Sequence, residues 1–290
     1  MADLNNGKQL SENGDYDMDR SSTILPPSAA FTGYRPFPAV MNLYSNASGV
    51  LNALKTQKLC GATENDFLYL VEAHFGFTPR GPLHFGPGYY LRNGVTINDP
   101  ILAATGSEFP LPFLVQLFDP KTSVKLPPLD QEKNPRDLVT EALYASKSKE
   151  LGVAFRFAIE VGFKTKQREE FEWRKVEGHK QEDENEKGTG TRYKLHRLAA
   201  GSPSVSGPSC SSSSPPPVND TKVVADLLFR NVLNLRHPFT LELKGAGLSG
   251  ELGERWALMV VMTSLSLHFL RQYGKTNKTT VGAAQKLHLK

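Results

Sequence analysis

A large apolar side chain stands at every second position from Val153 to Val161. Val153, Phe155, Phe157, Ile159 and Val161 share one parity; Ala154, Arg156, Ala158 and Glu160 share the other. A period of two puts successive side chains on opposite faces of a strand, so this stretch predicts a half-buried strand. "EEFEWRKV" repeats the pattern, with Phe171 and Trp173 inward and Glu170, Glu172 and Arg174 outward. The intervening "FKTKQR" reads as a hairpin loop. "TRYKLHRL" sets Tyr193 and Leu195 against Arg192, Lys194 and His196. Further strands are expected at 66–73, 89–92, 100–104, 223–229 and 239–244.

Other segments read differently. "FPLPFLVQLF" is apolar, but Pro110 and Pro112 restrict it to an edge strand. Pro135–Ser146 and "AVMNLYSNASGVLNAL" read as helical. Residues 1–30 and the Ser/Pro-rich 200–221 have too little apolar surface to offset their ordering entropy and are expected to be disordered. A charged insert is expected at 177–191, and a basic flexible tail at 274–290. Many short antiparallel strands with little helix make the chain mainly β, a barrel or a sandwich.

The period changes near the C-terminus. Apolar residues from Leu258 to Leu270 point in every direction around a helix expected over 250–273, with Ser249 as its cap and Gly274 as its stop. A helix apolar all round is enclosed by protein or lies in lipid. Thr263, Ser264, Ser266 and His268 interrupt the run, which favours enclosure over a membrane span. In a mostly β chain, the structure able to enclose a helix is a closed barrel. Gly245, Gly247 and Gly250 precede this helix at the dinucleotide-binding spacing G-x-G-x-x-G. No Asp or Glu follows Glu254, however, so no acid stands where a ribose would need one. The glycines therefore read as a tight strand-to-helix turn, and a nucleotide-dependent oxidoreductase is the remote alternative.

Charge and composition narrow the partners. The formal charge is +4 over 290 residues: the tail 274–290 carries +4 and residues 1–30 carry −3, leaving +3 for all the rest. That spread lacks the basic concentration of a nucleic-acid footprint. Two cysteines, Cys60 and Cys210, make no disulfide framework, and no basic-then-apolar leader opens the sequence. An intracellular location, cytoplasmic or nuclear and peripheral at membranes if lipid is bound, is the expectation.

Four blocks, "LRNGVTINDPILAA" (91–104), "REEFEWR" (168–174), "YKLHRL" (193–198) and "GELGERWALMVVMTSLSL" (250–267), resemble a family of uncharacterised fungal proteins. That family is similar to the tubby C-terminal-like superfamily, which includes LURP-one-related proteins and phospholipid scramblases. The resemblance implies one domain over 31–273, a closed antiparallel barrel of about twelve strands threaded by a hydrophobic C-terminal helix. Tubby proteins bind phosphoinositides, although none of their headgroup ligands maps onto this sequence.

The chemical inventory is thin. The chain has no nucleophile elbow, no H-E-x-x-H and no zinc-spaced cysteine pair. No cofactor or metal is expected, and His268 reads as a satisfied core histidine. The feature that stands out is basic. Lys164, Lys166 and Arg168 fall in one hairpin, and Arg192 and Lys194 share a face with His196. If the strands adjoin, they form a patch for phosphate groups. Glu169, Glu170 and Glu172 read as solvated acids beside it. These residues lead to the expectation of a non-enzymatic binding or scaffold module for anionic phospholipid headgroups, with a protein partner as the alternative.

Overall fold

In the computed structural model the described residues are 33–288, apart from 46–54, 108–119, 130–137, 149–151, 163–166, 177–189, 199–221, 232–233 and 235. The tail 1–30, the inserts at 177–189 and 200–221, the edge strand at 109–118, and both Lys164 and Lys166 lie outside them.

Twelve strands follow one another: β1 (Val40–Ser45), β2 (Thr56–Cys60), β3 (Phe67–His74), β4 (Gly88–Arg92), β5 (Ile101–Gly106), β6 (Thr122–Leu126), β7 (Val139–Ser148), β8 (Gly152–Val161), β9 (Gln167–Lys175), β10 (Thr191–Arg197), β11 (Lys222–Phe229) and β12 (Phe239–Leu243). Each pairs antiparallel with its neighbours in sequence, and β1 pairs with β12 through Val40↔Glu242 to Leu43↔Phe239, closing the barrel. Closure leaves no open sheet edge. The alternation holds: Phe155, Phe157, Ile159, Phe171, Trp173, Tyr193, Leu195 and Leu227 are all buried inside.

Where they are described, the two stretches read as helical contain strands instead. Val139–Ser148 is β7 and Val40–Ser45 is β1. β7 is rich in residues that also suit helices, with Ala142, Leu143 and Ala145 at its centre. Pairing with β6 and β8 on both sides decides the matter, because helix propensity is a weak prior against tertiary context. Cys60 is the last residue of β2, buried, with burial pushing its thiol up to about 11.

Helix α1 (Glu254–Gln272) runs through the barrel, and every residue from Leu258 to Leu270 is buried. The hydroxyls of Thr263, Ser264 and Ser266 find partners on it or on the wall. The Trp173 indole N–H donates to Thr263 Oγ1 at 3.0 Å, the Thr105 and Ser266 hydroxyls bond one another, and Ser264 donates to the Val260 carbonyl at 2.8 Å. The helix starts later than the sequence suggests. Gly253, at φ 86°, is its N-cap, and Ser249 instead accepts a bond from the Glu251 N–H within the preceding loop. Gly274, at φ 67°, does end it. The tail expected to be flexible forms a second helix, α2 (Lys278–His288), which rests on β7 and β8 with Val281 and Ala284 buried. No helix among the described residues is long and apolar enough to cross a membrane.

Candidate anion-binding wall

Outward residues of β8 to β11 are brought together by strand register. One row reads Ala154–Arg174–Lys194–Asp226, and the next reads Arg156–Glu172–His196. Arg192 lies two residues from Lys194 on the same face, so four cations surround two carboxylates. Both carboxylates are buried although they face outward: Glu172 is 1% exposed and Asp226 5%. Arg156 and Arg174 cover Glu172 from either side, Arg174 Nε reaching Oε1 at 2.7 Å. Arg192 grips Asp226 with Nε 2.8 Å from Oδ1 and Nη2 on Oδ2. That bond outweighs desolvation and raises the Arg192 pKa, so the group stays charged throughout. Charge-assisted two-point bonds of this kind fix a guanidinium in place. The acids thus act as anchors beneath a surface of cations, and Glu172 is not the solvated acid expected of it.

The expected patch is split. Arg168 lies at the far end of β9, six residues from Arg174, which is about 20 Å of strand. There it bonds Glu160 at 2.6 Å and Glu141 at 3.2 Å. The bond to Glu141 raises the Arg168 pKa despite partial burial. Partial burial works against the ionised Glu160, but a backbone bond and Arg168 together carry its pKa below the usual value. Arg255, in the first turn of α1, reaches the same two carboxylates and the Pro127 carbonyl, so this cluster ties the helix to the wall. Arg168 is therefore a structural residue, apart from Arg192 and Lys194. Glu169 also serves structure: Arg197 bonds it through Nε at 2.6 Å and Nη2 at 2.8 Å while reaching Glu251 at 3.3 Å. Sequence reasoning missed Arg156, Arg174 and Asp226 as partners. The outward parity of the first two was legible; the register that joins them was not.

The glycine turn is filled by protein. A Cβ on Gly247 would lie 2.4 Å from the Trp256 ring and 2.5 Å from the Val224 carbonyl oxygen. The indole thus occupies the place where a pyrophosphate would have to approach the backbone. His268 is not fully satisfied either. Tyr89 donates to Gln272 Oε1 at 2.9 Å, and Gln272 Nε2 faces His268 Nε2 at 3.2 Å. The ring proton therefore sits on Nδ1, which is buried without a partner among the described residues. Burial, with Arg271 adding to it, pushes the imidazole pKa down to about 3.

The chain matches no protein-family model, no curated protein and no solved structure.

Proposed function

We propose that the barrel is a non-enzymatic binding module whose outer wall holds an anionic group, with the phosphate headgroups of anionic lipids as the ligand class. The observation that carries this reading is the arrangement of Arg156, Arg174, Arg192 and Lys194 over two buried carboxylates. Glu172 and Asp226 lie beneath these cations, while Glu242, opposite Asp226 in register, stays partly exposed and pairs with Lys244 at 3.0 Å. The resemblance to tubby-like barrels supports a lipid source for the phosphate, by analogy of fold. Each basic residue near an anionic surface contributes about 1 kcal/mol, so a cluster of this size suits transient attachment.

Co-sedimentation with phosphatidylcholine vesicles, with and without phosphatidylinositol phosphates, tests it across a salt series. The wild type is expected to pellet with the anionic vesicles and to dissociate as salt rises. Lys194→Glu should release it, and Lys278→Gln/Lys286→Gln, which keeps α2 but removes its charges, should not. Equal binding by the wild type and Lys194→Glu eliminates the wall.

A further inference from the structure

The sequence of α2 does not make a helix by itself. Thr279, Thr280, Val281 and Gly282 stand in a row in its first half, and all four rank low as helix formers. Its first turn carries no acid to meet the helix dipole. Isolated helices shorter than roughly 12–15 residues are marginal in water, and α2 has 11. Docking therefore makes α2 helical, and the docking is narrow. Val281 and Ala284, three residues apart on one face, are buried, while Ala283 and Lys286 are exposed. The contact lies over the mouth of the barrel and not along its outer wall. A Cβ on Gly282 would lie 3.2 Å from Lys147 Nζ. Lys147 pairs with Val153 and Ala145 with Phe155, so Lys147 continues the inward row at the end of β7. Val281 belongs to the same core cluster as Val153 and Phe155. α1, by contrast, ends without help from α2. The Gly274 N–H bonds the Arg271 carbonyl at 3.1 Å, and the Lys275 N–H bonds that of Leu270 at 2.8 Å. With Gly274 at φ 67°, these bonds close the helix by themselves.

We infer that α2 is a detachable cap, which leaves the mouth and loses its helix as a unit while α1 and the twelve strands stay folded. The cost of opening part of a fold follows the buried apolar contacts and backbone bonds that the opening gives up. Among its described side chains α2 gives up two buried ones, Val281 and Ala284, together with a helix that is weak on its own. For α1 to open, thirteen consecutive buried residues, Leu258 to Leu270, would have to leave the barrel. The mouth thus has two states over one unchanged barrel: covered, and open with the inward ends of β7 and β8 bared. A partner that binds one of these states alone shifts the balance between them. The low stability of α2 is what makes the mouth a switch.

Native-state hydrogen exchange of the full chain tests it. Amides from Val281 to Lys286 are expected to be protected about a hundredfold less than those from Leu258 to Leu270. Ala283→Gly, at an exposed position, weakens the helix and removes no buried contact, so exchange in α2 should quicken about fivefold with α1 unchanged. Val281→Asp should remove the protection of α2, while α1 keeps its own and the barrel keeps a cooperative thermal transition. Equal protection of the two helices overturns the inference. It is also overturned if Ala283→Gly leaves exchange in α2 unchanged or quickens both helices alike, or if the Val281→Asp barrel no longer melts cooperatively.

Discussion

The two faces of strands β8 to β11 each bury polar groups, yet they are built from different chemistry. The inner face meets α1 through aromatic and aliphatic packing, and its polar contacts are neutral and single: an indole to a hydroxyl, a hydroxyl to a hydroxyl. The outer face buries full charges, Glu172 and Asp226, each under guanidinium groups. The difference follows from what lies beyond each face. Water can reach the arginines from outside, so a carboxylate there is neutralised by a partner that remains partly hydrated. Nothing hydrated lies beyond the inner face, so a charge there would bear the whole desolvation penalty. The inside is a region for packing and the outside a region for electrostatics, divided by one layer of backbone.

Five measurements break or sharpen that contrast. The largest effect is expected at Leu265, fully buried on α1: Leu265→Ala should cost about 2–5 kcal/mol in urea unfolding, since the rigid wall cannot collapse into the cavity. A loss below about 1 kcal/mol would mean that the helix is loosely held.

Next comes acid. His268 stays neutral in the fold until about pH 3, whereas the unfolded chain takes up that proton near its usual value of 6.5. This contribution to stability is full above pH 6.5 and falls as the pH drops towards 3. Over the whole window the loss is on the order of 4 kcal/mol. His268→Met should remove this part of the acid dependence and be close to neutral at pH 7. An unchanged pH profile would reject the assignment.

On the outer face, Glu172→Gln removes a buried charge but leaves Arg156 able to turn to water, so about 1–3 kcal/mol is expected, read from chemical denaturation. Inside, Thr263→Val strands the Trp173 indole N–H and should cost about 1–2 kcal/mol. The smallest effect on stability belongs to Lys194→Gln, within about 0.5 kcal/mol by thermal melting. A much larger loss there would make Lys194 a structural residue and weaken the wall as a binding surface.

Much of this barrel was readable before its coordinates. Strict alternation gave β8, β9 and β10 their inward residues, and an all-round apolar helix demanded an enclosure. What failed has a physical cause. β1 and β7 carry no clean alternation, and their pairing partners lie far away in sequence or across turns that no local signal specifies. The cap failed because Gly253, not Ser249, carries the chain into the barrel mouth at a positive φ. Of the candidate site, Arg192 and Lys194 were legible because parity alone places them on one face. Asp226 was not, because a register set by barrel closure chooses which acid meets which arginine. Arg168 was grouped with them because a hairpin looks compact in sequence, while along β9 it is a strand's length away.

The order of elements also matters while the chain is being made. The helix that fills the barrel comes after all twelve strands, and the first strand must wait for the twelfth to close the sheet. At a ribosomal rate of about 5–20 residues per second, the time between synthesis of β1 and of the end of α1 is roughly 10–50 s. From their own synthesis until that of the end of α1, roughly 5–20 s, the inward Phe155, Phe157, Phe171 and Trp173 have no helix to pack on. A chaperone that binds aromatic segments on nascent chains would have a longer opportunity still on Tyr69 and Tyr89 of the earlier strands, and release would follow only once α1 has cleared the exit tunnel.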